Sequence, residues 1–305
     1  MPAPIVLFIY NRPEHTRRTL ESLAANPLAA ASELFVFADG AKTAATETER
    51  KGIDAARSVV REKSWCKTVV MTESETNKGL ARSVIEGVTQ IVNRYGTVIV
   101  LEDDLVLSRH FLQFINDGLE MYAGMPNVYS INGYMFPIET ALQHSVLLPY
   151  TSTWGWGTWK EKWQIIDLEM RQKEAIATNL YLRRRFNLAD YDYTSMLGYG
   201  NNSWGIRWYY SVFKRNGLCV FPAKSLVQNN GFDGSGENCG DGNFVQSGLD
   251  QAIEIVKSEE IDLEFYNQYI NYFIQKKSTP TDAFRPVLKR LKASIETYMG
   301  ATRIK

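Results

Sequence analysis

Only three cysteines occur in 305 residues, Cys66, Cys219 and Cys239, and they are widely spaced. An odd, scattered set fits neither a disulfide framework nor a cysteine zinc site. A reducing cytoplasm is the expected home, and there the "NNS" sequon at Asn201 carries no meaning. Excess charge is missing too. The 34 Lys and Arg balance 34 Asp and Glu, which removes the sequence-wide attraction that nucleic-acid binding relies on. No run reaches the roughly 18 apolar residues of a membrane span. The opening run "PIVLFIY" has no basic segment before it and no small-residue cleavage site after it, so no secretory leader is expected. There is no internal repeat, no P-loop pattern and no strand-linked G-x-G-x-x-G.

What remains is an ordinary globular composition, long enough to bury a sizeable core. The first third of the chain has a regular rhythm. Apolar runs at residues 4–10, 34–38, 67–72 and 97–101 predict strands. Between them, residues 12–26, 46–63 and 79–93 carry apolar positions three or four apart and predict helices. Continuously apolar strands alternating with helices predict an α/β fold, with a mostly parallel central sheet flanked by helices on both faces. After about residue 126 the rhythm breaks. "NVYSINGYMF" is a further strand candidate, residues 150–163 are dense in Trp and Gly, and residues 228–243 read as a long Gly-rich loop.

In such sheets ligands bind at the carboxyl ends of the strands. Four polar clusters follow the four predicted strands: Tyr10, Asn11 and Arg12; Asp39 with Gly40; residues 77–82 with Gly79 and Arg82; and Glu102, Asp103 and Asp104. The last cluster, in "YGTVIVLEDDLVLSRHF", sets three carboxylates at the tip of a buried strand. Three adjacent carboxylates near a low-dielectric sheet are costly unless a cation or hydrogen bonds offset them. Magnesium or manganese would do so, since both take carboxylates together with substrate phosphates. The competing reading is an acidic helix start, because acids favour the first turn of a helix.

The segments "IYNRPEHTRRTLESL", "FADG", "NKGLARS", "VLEDDLVLSRHFLQF", "STWGWGTWKEKW" and "NGLCVFPAKSLVQNNGFDGSG" carry a likeness to a known group. The chain resembles the GT-A glycosyltransferases over roughly residues 4–240, in particular the group around N-acetylglucosaminyltransferase I and bacterial family-2-type sugar transferases. The resemblance implies a Rossmann-like GT-A domain at 1–245, with a nucleotide-sugar half to about 125 and an acceptor half after it. A C-terminal helical extension follows at 246–305. It implies a UDP-sugar donor, Mn2+ or Mg2+ as cofactor, and a glycan or lipid-linked saccharide acceptor. Asp104 is then the direct metal ligand. Glu102 and Asp103 lie over the ribose and nucleotide or orient the metal's waters. Asp39 reads the uracil edge, and Tyr10, Asn11, Arg12, Gly79 and Arg82 line the nucleotide pocket. An arginine and a helix start both favour phosphate. Each residue also has a plainer reading: Asp39 with Gly40 as a turn, Arg82 as a solvated helix charge, Arg12 as a loop cap.

Inverting transfer needs a carboxylate to take the acceptor proton. Related enzymes carry it in a Trp-rich segment before a helix, yet here residues 198–213, "GYGNNSWGIRWYYSVF", hold no acid. The nearest candidates are Asp233 and Glu237 in the Gly-rich loop and Asp190 and Asp192 in "ADYDY"; Asp233 is preferred because such a loop can close over a donor. Of Trp154, Trp156, Trp159 and Trp163, one or two are assigned to the donor or acceptor sugar and the rest to packing, and Trp204 and Trp208 carry the same two readings; Trp154, Trp156 and Trp204 are the sugar or acceptor candidates. Residues 284–305 have the pattern of a basic amphipathic helix, suited to peripheral membrane contact or to packing on the domain. Two rival functions stay open: a nucleotide-sugar or glycan-binding relative that has lost its base, and a sugar nucleotidyltransferase.

Overall fold

A computed structural model describes residues 1–198, 203–233 and 249–275 of the chain. The strands are β1 (Ile5–Ile9), β2 (Glu33–Ala38), β3 (Thr68–Glu73), β4 (Thr97–Glu102), β5 (Leu105–Leu107), β6 (Val128–Asn132), β7 (Ser145–Leu148), β8 (Trp156–Trp159), β9 (Leu218–Pro222) and β10 (Val227–Asn229). The helices are α1 (Pro13–Ala24), α2 (Glu47–Arg61), α3 (Leu80–Tyr95), α4 (Phe111–Met121), α5 (Lys160–Trp163), α6 (Lys173–Thr178), α7 (Leu180–Phe186), α8 (Trp204–Phe213) and α9 (Leu263–Gln275).

Eight strands form one sheet in the order β3-β2-β1-β4-β8-β6-β9-β7, and β5 pairs with β10 in a separate ribbon. The strands β3, β2, β1 and β4 are mutually parallel. β8 runs antiparallel to both β4 and β6, β9 is parallel to β6, and β7 closes the far edge antiparallel to β9. The sheet is therefore mostly parallel, as the apolar runs predict.

Local chemistry fixes the helices between these strands. Pro13 sits in the first turn of α1, where its missing N–H loses nothing. The Thr46 side chain accepts a hydrogen bond from the Glu49 backbone N–H and starts α2; Glu47 and Glu49 lie in its first turn and Arg61 in its last, complementing the helix dipole. α3 begins after Gly79 at φ 78° and ends at Gly96 at φ 84°, where the Gly96 N–H bonds back to the Val92 carbonyl. Both positions need a left-handed backbone that glycine supplies without strain.

The sheet separates two apolar layers. One holds Leu20 and Leu23 of α1, Ala56, Val59 and Val60 of α2, and Phe111, Leu112 and Ile115 of α4. The other holds Val84, Val88 and Ile91 of α3, most of α8, and Phe265, Tyr269 and Phe273 of α9. The Trp-rich stretch read from the sequence only as dense in Trp and Gly supplies β8, a fully buried strand in the middle of the sheet. Of the expected C-terminal helical extension, residues 249–262 are described as non-helical chain and 263–275 as α9; residues 284–305 lie outside the described residues. Among the described residues no helix is long and apolar enough to cross a membrane.

Candidate functional site

The chain leaves β1 for β2 on one side and returns after β3 to β4 on the other. The gap between the carboxyl ends of β1 and β4 is thus a topological switch point, where an α/β sheet opens a crevice. Arg12 follows β1 and the acidic triplet ends β4, so the two clusters face each other across that crevice. The Arg12 Nη2 donates to Asp103 Oδ1 and, at 3.0 Å, to Asp104 Oδ2. Its Nη1 is buried and finds no acceptor among the described residues. A buried, charged donor without a partner is costly, and it marks where an anionic oxygen would be held.

Both aspartates are buried. The Thr19 hydroxyl donates to the Asp103 carbonyl at 2.8 Å and pins the turn to α1. Burial pushes the Glu102 carboxyl up to about 8, with Asp104 and Asp103 adding and Arg12 opposing. Burial also raises Asp103, against the pull of Arg12. With Glu102 holding its proton, the two aspartates are answered among the described residues by one guanidinium, which leaves the site short of positive charge.

The β5–β10 ribbon brings a second segment onto this cluster. The Asn230 N–H donates to the Asp104 carbonyl at 2.8 Å, and a Cβ at Gly231 would lie 2.3 Å from Asp104 Oδ2, so only glycine leaves that carboxylate its place. His15 Nε2 sits 3.1 Å from Asp233 Oδ2 and 3.4 Å from the Asn230 carbonyl. This ties α1 to the segment that carries Asp233, whose side chain is half exposed. Next to Gly231, Phe232 meets the half-buried Trp154 edge to face at 5.5 Å, and Trp154 meets Tyr134 at 4.4 Å, which makes an aromatic shelf beside the acids.

The other expected residues are placed as follows. The Tyr10 hydroxyl donates to Glu49 Oε1 at 2.6 Å; burial and that bond raise its phenol and keep it protonated. Asn11 lies between Tyr10 and Arg12 at the same strand end. Asp39 is saturated: Oδ1 accepts from the Gly40 and Lys78 backbone N–H groups, and Oδ2 from the Asn77 side chain and the Gly79 N–H. Four donors fill the four lone-pair directions of a carboxylate, so Asp39 holds the 77–79 turn and has none left for a base edge. Arg82 is exposed and bonded to Glu86 at 2.6 Å, along its own helix, which is the solvated-charge reading. Asp192 accepts from the Asn187 side chain and the Ser195 N–H and organises a turn there. Glu237 lies outside the described residues.

Trp156 and Trp204 are buried and stacked on each other at 5.6 Å, with Trp156 also against Trp163 and Trp208. Both rings belong to packing, since neither offers a face to a sugar; Trp154 is the one whose position suits a ligand. His15, Asn230, Gly231 and Phe232 escape the sequence reading. For His15 a signal was present: it lies three residues after Arg12, one turn along the same helix face.

Among the described residues no three His, Cys, Asp or Glu side chains converge as a closed metal site. An open site is another matter. Hard divalent cations accept one or two carboxylates and take the rest from water and phosphate. The donor set here is all oxygen and, among the described residues, undercompensated in charge; besides Arg12, the Asp104 carboxylate has against it Gly231, which adds no side chain. These residues fit such a cation, and Asp104 is the carboxylate that would hold it.

No protein-family model matches the sequence, and no curated protein matches it. Among solved structures the chain is similar to TarS of S. aureus, at 11% identity and a TM-score of 0.37, over 74% of this chain and 36% of that one. It is also similar to mouse xyloside xylosyltransferase 1 in its apo form, at 11% identity and a TM-score of 0.37, over 70% and 82%. A third is glucosyl-3-phosphoglycerate synthase from Mycobacterium tuberculosis, solved with Mn2+, UDP-glucose and phosphoglyceric acid. There the identity is 12% and the TM-score 0.33, over 54% and 58%. The chain spans about a third of the length of TarS.

Proposed function

We propose that the protein is an inverting glycosyltransferase that takes a hexosyl or N-acetylhexosaminyl group from a UDP-sugar. Its acceptor is a glycan or lipid-linked saccharide of surface polysaccharide or glycoconjugate synthesis. The observation that carries this reading is the crevice between β1 and β4, where Arg12 bridges Asp103 and Asp104 and still holds an unpartnered N–H. An acidic cluster short of positive charge beside a free guanidinium donor suits a pyrophosphate brought in with a divalent cation. When bound, that cation supplies neutralisation of the charge developing on the leaving diphosphate.

The protein's own residues do the rest. Asp104 fixes the cation end of the donor, and Gly231 keeps its carboxylate clear. Arg12 offers Nη1 to a phosphate oxygen. Asp39 holds the 77–79 turn, so the base is contacted by that turn's backbone, including Gly79, rather than by the Asp39 carboxylate. Trp154 and Phe232 seat the sugar or acceptor. Asp233, held by His15, accepts the acceptor hydroxyl proton as that oxygen bonds the anomeric carbon and the carbon–diphosphate bond breaks. In this reading residues up to about 125 bind the donor and residues 126–245 the acceptor. The segment 284–305 gives peripheral contact with the inner face of a membrane, and the setting is cytoplasmic.

A donor screen with manganese, followed by transfer or donor hydrolysis assays on wild type and Asp104→Ala, tests the reading. Turnover lost in the variant supports it. Donor binding without turnover in the wild type would favour a binding protein instead.

A further inference from the structure

Among the described residues the sheet ends on one side at β3, which pairs with β2 alone, residue for residue from Glu33 opposite Thr68 to Ala38 opposite Glu73, with no bulge. An outermost strand turns alternate backbone N–H and C=O groups outward, and proteins normally blunt such an edge with proline, a bulge or a charge in mid-strand. β3 has none of these between Lys67 and Glu73. Instead Val70, at its centre, is 49% exposed.

The segment Lys67-Thr68-Val69-Val70-Met71-Thr72-Glu73 is close to a palindrome in chemical character. We propose that the chain pairs with a second copy of itself, edge to edge through β3, antiparallel and centred on Val70. In that register Lys67 of one copy faces Glu73 of the other, twice. Thr68 faces Thr72, Val69 faces Met71, and Val70 faces its own counterpart across the dyad. Each is a favourable cross-strand pair. A slip of one residue breaks both ion pairs and exchanges the sheet faces.

The surroundings support a second copy over a foreign strand. Glu73 is already steered by Arg57 Nη1 at 3.2 Å and by Arg61, so its carboxylate is held in place for an incoming lysine. Lys67, Val69, Met71 and Glu73 lie on one face, beside a groove of about 540 Å³ whose lining includes Val60, Arg61, Lys63 and Cys66. Pairing would bring a second Val69 and Met71 against that groove's open side. The interface lies two strands away from the crevice at β1 and β4 and leaves it open, so the inference stands apart from the proposed activity.

Sedimentation velocity of the full chain over a range of concentrations tests it. The wild type is expected to show a reversible dimer. Val70→Asp should weaken association by about tenfold or more, and Lys67→Glu and Glu73→Lys each by about tenfold. Thermal melts confirm that each variant is folded. Val70→Cys, which leaves every charge in place, should form an intermolecular disulfide on mild oxidation, because a non-hydrogen-bonded antiparallel pair sets its Cα atoms about 4.5 Å apart, within disulfide reach. A monomer at the highest soluble concentration overturns the proposal. So does a dimer indifferent to Val70→Asp, or a Val70→Cys chain that forms no intermolecular disulfide.

Discussion

Arg12 Nη2 lies 3.0 Å from Asp104 Oδ2, although 91 residues separate the two positions in the chain. Arg12 follows the first strand and Asp104 the fourth, and the parallel pairing of β1 with β4 brings them together. The same guanidinium holds Asp103, so one cation spans the acidic turn.

Removing that cation strands two buried carboxylates. Arg12→Ala should lower stability by roughly 3 kcal/mol, read from urea unfolding. Arg12→Lys keeps the charge but not the fork, and should recover only part of the loss.

Gly231→Ala places a methyl where Asp104 Oδ2 stands. The account expects donor affinity to fall by about tenfold or more, with a stability loss of only about 1–2 kcal/mol. Calorimetric titration beside a denaturant melt checks both halves.

Asp39→Asn removes an acceptor and turns an amide N–H₂ toward donors. A loss of about 2 kcal/mol is expected, with faster amide hydrogen exchange at Lys78 and Gly79. Because Asp39 is saturated by that turn, the ratio of affinities for uridine and cytidine diphosphates should stay unchanged.

The raised Glu102 carboxyl gives a pH dependence of definite sign. Folded, the group holds its proton up to about 8, against an ordinary value of 4.5. The native state therefore binds more protons than the unfolded chain across that window. Its contribution to stability is fully present below the lower value and lost as pH climbs to about 8. Denaturation from pH 5 to 9 should show the decline, and Glu102→Gln should flatten it.

The tryptophans divide by role. Trp204→Ala should lower stability by about 3–5 kcal/mol through the stack on Trp156 and leave donor affinity intact. Trp154→Ala should change stability far less and weaken acceptor binding, read as a rise in KM for the acceptor with kcat little changed.

Much of this was legible because β1, β2 and β4 are continuous apolar runs, a pattern that fixes both their buried setting and their parallel pairing; β3, which alternates half-buried and exposed residues, is the edge they leave. Once those strands are parallel, the polar clusters after them must share an edge, and Arg12 and Asp104 follow. The strand β8 was not legible. Its four residues, "WGTW", have no period of their own, and they are a strand because β4 and β6 hydrogen-bond to them on both sides. Asp39 has two readings in the sequence for a related reason. An Asp-Gly pair at a strand end looks the same whether the carboxylate serves a ligand or a turn, and the turn it serves lies 38–40 residues further on. The segment 230–233 reaches Asp104 only through the β5–β10 ribbon, and strands of three residues leave almost no trace in a sequence.

The most direct test is isothermal titration of a UDP-sugar into wild type and Asp104→Ala, each with and without manganese. The account predicts binding to the wild type with the cation present, and a loss of about a hundredfold when either the cation or the Asp104 carboxylate is removed. Full affinity without manganese, or an undiminished affinity in Asp104→Ala, would contradict it.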